Sequence, residues 1–321
     1  MARTLITGIA GFIGSTLAHT LVERGDEVRG IDNLSTGSLD NLAGIRGRID
    51  FQQMDLQDAA GMKSACEGVE YILHQAALAS VPRSVKDPLA SHQSNINGTL
   101  NLLIAARHAK VRRIVYAASS SAYGDQPTLP KQEEMTPLPL SPYAVQKLAC
   151  EYYVQAFYRT YGLEGICLRY FNIFGPRQAA DSPYSGVIAK FTTSMMEGET
   201  PTIFGDGLTS RDFTYVDNAV SANLLACQAP SSVATGRVFN IGTGESHTLN
   251  QVYAAIAEQL GFSGKPIYGA ARAGDIRHSL ADIHRAGKEL GYQPKTHFEE
   301  GLRKTVGWYL AEKKKKAAEA V

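Results

Sequence analysis

The chain has 321 residues, 44% of them hydrophobic and 20% charged, and Lys+Arg 32 against Asp+Glu 31 leaves a formal charge of +1. That length suits two modest domains sharing a cleft, or one large one. The near balance of charge argues against a broad basic surface for nucleic acid or an anionic membrane, so an anionic ligand must be held by a local site. The four cysteines, Cys66, Cys150, Cys167 and Cys227, show no Cys-x-x-Cys pair and no metal-type spacing to His. They read as buried thiols of a reducing, cytoplasmic protein without a metal. No apolar run reaches the roughly 18 residues of a membrane span. The apolar start is interrupted by Gly8, Gly11 and Gly14 and leads to no clear cleavage site, so it reads as folded protein.

Arg3 to Thr7 is a short apolar strand, and Phe12 to Arg24 has helical spacing at Ile13, Leu17, Leu21 and Val22. Between them Gly8-Ile9-Ala10-Gly11-Phe12-Ile13-Gly14 lets the backbone turn tightly and approach a pyrophosphate, whose charge would sit at the helix N-terminus. A second strand, Glu27 to Ile31, ends in Asp32. A carboxylate there can accept from both adenosine ribose hydroxyls and repels a 2′-phosphate, which favours NAD over NADP. Ile49 to Gln52 is a third strand, followed by Asp55, placed to meet an adenine amino group, and a helix from Asp58 to Cys66. The fourth strand, Tyr71 to His74, ends in the small Gln75-Ala76-Ala77; His74 at its tip reads as structural. A long helix follows over Pro88 to Ala109, then a fifth strand, Arg113 to Ala118, which delivers Ser119-Ser120-Ser121 at its carboxyl end, where open parallel sheets bind ligands.

Ser141 is a good N-cap and Pro142 suits the first helical position, so a helix begins there and runs towards Tyr161. Tyr143 and Lys147 then share one face. A free phenol titrates near about 10, and a close ammonium favours its ionised form, which would make Tyr143 a base at neutral pH. A sixth strand spans Gly165 to Tyr170 and a seventh Arg237 to Ile241. Strand and helix alternating in this way predict a doubly wound parallel sheet of the Rossmann type. From Phe174 prolines and glycines break the pattern, which predicts a smaller mixed α/β substrate-binding domain over the sheet's carboxyl edge. The expected division is 1–173 plus 212–244 for the NAD-binding domain and 174–211 plus 245–312 for the smaller one. Residues 313–321, with Lys313 to Lys316, are expected to be a solvated, frayed tail.

The joint pattern, from Thr7-Gly8-x-x-Gly11-x-x-Gly14 through the serine run and Tyr143-x-x-x-Lys147 to Arg272-Ala273-Gly274-Asp275, resembles the extended short-chain dehydrogenase/reductase family. Within it, the chain is similar to the UDP-sugar 4-epimerases over nearly its whole length. The resemblance implies a permanently bound NAD held by Gly8, Gly11, Phe12, Ile13, Gly14, Asp32, Asn33, Ser35, Thr36, Gly37, Asp55, Leu56, Gln75, Tyr143, Lys147 and Tyr170. It makes Tyr143 the base for the sugar 4-hydroxyl and gives Lys147 the tasks of lowering its pKa and holding the nicotinamide ribose. Ser120 is the first choice as the hydroxyl that relays the proton, with Ser119 next. Hydride would pass from C4 to NAD and return to the other face of a 4-keto sugar.

The same resemblance places Asn172, Val187, Lys190, Arg211 and Arg272 near the diphosphate or sugar, Thr202 and Phe204 beside uracil, Asp275 on the ribose, and Ser80 and Arg83 near the sugar. Ser279 falls where a bulky tyrosine would exclude an N-acetyl group, so a UDP-N-acetylglucosamine/UDP-N-acetylgalactosamine pair is implied, with UDP-glucose also small enough to enter. Related dehydratases carry Asp-Glu, and decarboxylases a Glu, beside the active hydroxyl; Ser121-Ala122 stands there here, which favours simple epimerisation. A UDP-glucuronate epimerase or decarboxylase, or a non-catalytic NAD-binding sensor, are the alternatives. Family resemblance also implies a homodimer through the helices at Pro88 to Ala109 and Pro142 to Tyr161.

Overall fold

In the computed structural model, which describes residues 3–180, 186–271 and 276–319, the first half alternates as its periodicity dictates. The elements run β1 (Arg3–Thr7), α1 (Phe12–Glu23), β2 (Glu27–Asp32), β3 (Asp50–Gln53), α2 (Ala59–Cys66) and β4 (Tyr71–His74). The helix expected from Pro88 is compound. Two short helices, α3 (Val81–Lys86) and α4 (Pro88–His92), lead into a π-helical turn, Gln93–Asn97, that continues as α5 (Gly98–His108). β5 (Arg113–Ser119), α6 (Pro142–Tyr161) and β6 (Glu164–Tyr170) complete the contiguous part. Ser141 accepts from Ala144 N and so caps α6 at the predicted residue.

The second half is shorter-grained: β7 (Ile173–Phe174), α7 (Val187–Met196), β8 (Thr202–Phe204), β9 (Ser210–Arg211), β10 (Thr214–Tyr215) and α8 (Val216–Gln228). Then come β11 (Thr235–Ile241), β12 (His247–Thr248), α9 (Leu249–Leu260), β13 (Ile267–Gly269), α10 (His284–Leu290) and α11 (Phe298–Glu319). Seven strands form one parallel sheet in the order β11-β6-β5-β4-β1-β2-β3. The chain winds outward from β1 to β3, then crosses back to β4 and winds the other way. The reversal therefore falls between β1 and β4, where the carboxyl ends of neighbouring strands diverge into a crevice.

One apolar cluster under the sheet joins α1 and α8 through Leu17, Leu21, Val220 and Ala226, and the opposite cluster joins α2, α5 and α6 through Met62, Leu102 and Val154. A third, separate cluster holds the smaller unit together: Phe174, Ile188, Phe191, Ile203, Phe213, Val252 and Ile256, closed by Phe298, Leu302 and Val306 of α11. Ala286, Leu290 and Tyr292 pack in the first cluster, so the chain near α10 returns to the main sheet, although the sequence reading gave all of 245–312 to the smaller domain. The lysine run is not frayed: it continues α11 as helix to Glu319, and Lys313 Nζ bonds Met196 O at 2.7 Å. Leu302 and Val306 anchor one turn after another, and propagation costs little once that nucleus is fixed.

Candidate active site

At the reversal of the sheet a narrow cleft of about 90 Å³ is lined by Gly8, Gly11, Asp32, Asn33, Ser35, Thr36, Asp55, Leu56, Gln75 and Ala76, among others. Its floor is backbone. Gly8 has φ +69°, and a Cβ there would stand 2.8 Å from Ala76 Cα; a Cβ on Gly14 would stand 2.1 Å from Gly8 O. Helix α1 starts after Gly11 with no side-chain cap and no acidic residue in its first turn. Its first N–H groups are thus left for an anion, and the dipole favours one. Asp32 is 9% exposed and accepts from Ala10 N at 2.9 Å and Leu34 N at 2.8 Å. Burial raises its carboxyl above the usual range, and those N–H bonds pull it back. Asn33 Nδ2 donates to Asp55 Oδ2 at 2.6 Å, joining the ends of β2 and β3.

Beside the cleft, β5 ends in Ser119, whose oxygen accepts from Ser121 N at 3.2 Å and from Ser121 Oγ at 2.8 Å. With both lone pairs taken, its own proton is available to the Tyr143 phenol, to which it hydrogen-bonds. The hydroxyl that meets Tyr143 is therefore Ser119 and not Ser120, the first choice from the sequence; Ser120 begins the 3-10 turn that Ser119 caps. A second expectation also changes. Lys147 Nζ donates to Ala117 O at 2.8 Å and lies 5.0 Å from the Tyr116 ring centre, and burial lowers its pKa to about 8. Burial pushes the Tyr143 phenol up to about 12 against the pull of Ser119. In the protein alone Tyr143 is a proton donor at neutral pH. A positive charge brought next to it has to supply the drop that a base requires.

Across β6 the chain opens a second cavity of about 470 Å³. It brings together Asn172, Val187, Lys190, Thr202, Phe204 and Arg211 from the sequence-predicted set. Helix α7 starts on this cavity after Gly186, again with no side-chain cap. Sequence reasoning missed Gln178, Ser194 and Thr209, which line the same space; the buried Gln178 Oε1 has no hydrogen-bond partner among the described residues. Ser80 and Arg83 do not line it: Ser80 Oγ accepts from Arg83 N as the cap of α3. Ser279 is also absent from the lining. It is 8% exposed, and its N–H bonds Ser210 O at 3.1 Å, which pins it to the strand that carries Arg211. Arg272 and Asp275 lie outside the described residues.

A model of the NAD dependent epimerase/dehydratase family matches residues 4–242. The chain belongs to this family. A UDP-glucose 4-epimerase from Mycolicibacterium smegmatis is 39% identical over 312 residues, covering 96% of this chain and 98% of its own. Among solved structures, the UDP-N-acetylglucosamine 4-epimerase from Methanobrevibacter ruminantium, in complex with UDP-N-acetylmuramic acid, superposes with a TM-score of 0.92 at 40% identity, covering 97% of this chain and 99% of that one. The UDP-glucose 4-epimerase of Thermus thermophilus in complex with NAD gives 0.87 at 36% identity, covering 96% and 99%.

NAD is the cofactor of this epimerase/dehydratase, and the narrow cleft fits it. A glycine floor that no Cβ could enter and an uncapped helix start suit the pyrophosphate, and the Asp32 carboxylate suits a ribose. Gln75 and Tyr170 form a closed network with Asn223: Tyr170 Oη bonds Gln75 Oε1 at 3.2 Å, and Asn223 Nδ2 donates to Tyr170 Oη at 2.6 Å. Behind the cleft His74 is fully buried. The Thr99 hydroxyl gives its proton to Asn95 O, so His74 Nε2–H donates to Thr99 and Nδ1 accepts from Thr7. Desolvation lowers its pKa to about 3, and it stays a neutral strut, as its place in the sequence implied.

Proposed function

We propose that the chain interconverts the C4 epimers of a UDP-hexose, with UDP-N-acetylglucosamine and UDP-N-acetylgalactosamine as its main pair and UDP-glucose as a smaller substrate that also fits. The observation that carries this reading is the Ser119–Tyr143 pair and its place in the sheet. β5, which bears Ser119, lies between β4, whose end lines the cofactor cleft, and β6, which leads to Asn172 of the larger cavity. A sugar held there by its UDP would have its ring between the two spaces. Tyr143 would take the proton of the 4-hydroxyl and return it, Ser119 would turn its one proton from the phenol to the same oxygen, and Lys147 would turn from Ala117 O to the ribose and the phenol. Bound NAD supplies reversible hydride acceptance, which closes the cycle without net oxidation. With Ser119 as the reacting hydroxyl, the two following positions are Ser120 and Ser121, so the carboxylates that elimination or decarboxylation would need are still missing there.

For the nucleotide, Lys190 and Arg211 supply positive charge, the uncapped start of α7 supplies N–H groups, and Thr202 and Phe204 border the cavity where a flat base would lie. Ser279, small where a bulky tyrosine would exclude an acetamido group, supports an N-acetylated sugar, the ring lying outside the larger cavity that Ser279 does not line. The test is proton NMR of UDP-N-acetylglucosamine with purified protein and no added cofactor, beside UDP-glucose and UDP-glucuronate. Formation of UDP-N-acetylgalactosamine is expected to be fastest. Conversion of the glucuronate alone would replace the substrate, and no conversion of any of them would leave only the sensor reading.

The same reading includes a homodimer. Val145 and Tyr152 on α6, with Leu89 on α4 and Ile104 on α5, leave apolar surface exposed on packed neighbouring helices. Light scattering after size exclusion should give twice the chain mass of 34.7 kDa. A monomer would end this part of the proposal.

A further inference from the structure

Between β9 and β10 sits a carboxylate that the reaction does not use. Asp212 is 0% exposed. Its Oδ1 accepts from Thr243 N at 2.8 Å and Thr243 Oγ1 at 2.8 Å, with Thr214 Oγ1 at 3.4 Å. Its Oδ2 accepts from Gly244 N at 3.0 Å and Ala281 N at 3.2 Å. The residue's own carbonyl accepts from Asn172 Nδ2 at 3.2 Å. These bonds tie together lengths of chain that are far apart in sequence. Thr243 and Gly244 follow β11 of the main sheet, residues 210–212 carry Arg211 of the larger cavity, and Ala281 ends a strap that crosses above them.

That strap is built rung by rung on the same segment. Ser210 N bonds Arg277 O at 3.0 Å, Ser279 N bonds Ser210 O at 3.1 Å, and Arg211 Nη1 donates to Ser210 O at 2.9 Å and to Arg277 O at 3.3 Å. Asp212 closes the ladder at one end and moors it to the sheet. A carboxylate suits the place because it offers only acceptors to converging donors. An amide of the same shape would turn two of its own N–H donors towards N–H groups, so one side of the mooring must open.

We propose that Asp212 is the positioning residue of the substrate site, holding Arg211, Asn172 and Ser279 in one fixed relation so that the diphosphate end and the sugar end of a UDP-sugar are gripped together. This rests on the UDP-sugar reading above and adds to it a residue that touches neither substrate nor cofactor. Tyr143, Lys147 and Ser119 lie on α6 and β5 and make no hydrogen bond to Asp212. Loosening the mooring should therefore weaken the grip and spare the chemistry.

The experiment is Asp212→Asn, purified with its NAD, with Thr243→Val as a milder variant that removes the hydroxyl donated to Asp212, and with it an acceptor for Glu245 N, but keeps the Thr243, Gly244 and Ala281 N–H bonds to the carboxylate. In Asp212→Asn the KM for UDP-N-acetylglucosamine should rise at least about tenfold, as loss of hydrogen bonds to a charged group implies, while kcat stays within about threefold and the NAD content is unchanged. Thr243→Val should move KM the same way by about threefold, the effect of one modest hydrogen bond. Calorimetric binding of UDP alone separates this proposal from the epimerase reading. If the wild type binds UDP but turns nothing over, a weakened UDP affinity in the variants still supports the mooring. An NAD-loaded Asp212→Asn with unchanged KM and UDP affinity would overturn it, as would a loss of NAD and kcat together. Should Asp212→Asn fail to fold, an unchanged KM in Thr243→Val has the same force.

Discussion

The two spaces of this molecule are made of different material. The cofactor cleft is a backbone object: a glycine floor, a bare helix start and strand ends, all from residues 8–94. The larger cavity is a side-chain object, collected from residues 172–178, 186–194, 201–213 and 249 on elements that come together only in the fold. Backbone sites tolerate almost no added volume but are indifferent to most side-chain chemistry. Side-chain sites should behave the other way round, giving way in affinity residue by residue.

The sharpest tests follow from that contrast. Tyr143→Phe, at the seam, should cost turnover about a thousandfold, within the range for removing a general acid/base, with NAD and UDP binding intact; near-normal turnover in NMR assays would remove the phenol from the mechanism. Gly14→Ala should come next, because a methyl 2.1 Å from Gly8 O cannot be housed without moving the turn. Overpacking of this kind costs about 1–3 kcal/mol or more, and the purified variant should have lost most of its NAD by absorbance. Arg211→Ala should raise the KM for the UDP-sugar on the order of tenfold, the effect of losing a bond to a charged group, and leave NAD content alone. If it empties the cleft instead, the two spaces are not independent.

The smallest expected effect is on stability rather than activity. Burial holds the His74 pKa at about 3 in the folded chain, against 6.5 for an ordinary imidazole. Between those values the unfolded chain binds the proton and the folded chain does not. The stabilisation is thus complete above 6.5 and is lost as the pH falls towards 3. In His74→Asn the fall of Tm with acid should be shallower over that window, and an unchanged slope would mean that the ring is not held neutral.

Legibility in the sequence follows the same division. Gly8, Gly11, Gly14 and Asp32 stand within one strand-helix-strand unit, where spacing alone carries the geometry, and Ser141 announced its helix because capping is a local interaction. Ser119 and Ser120 could not be told apart, since a run of three serines is uniform on the page; only the turn from Ser120 to Tyr123 decides which hydroxyl faces Tyr143. The spacing of Tyr143 and Lys147 gave a shared face but not the direction of a flexible ammonium, which the Ala117 carbonyl captures. Gln178 carried no signal because its meaning lies in segments distant in the chain. Asp212 was visible only as the neighbour of Arg211.

The closing of the third apolar cluster by Phe298, Leu302 and Val306 has a consequence for synthesis. Six of the seven strands of the main sheet lie within residues 3–170 and can condense while the ribosome is still working. The smaller unit has no such freedom, because part of its interior arrives with α11, near the end of the chain. Until then Phe174, Phe191 and Phe213 have nothing complete to bury against. A nascent chain stalled before residue 298 should accordingly carry a protease-resistant first lobe and a cleavable second one, and it is this later lobe that a chaperone would have reason to hold.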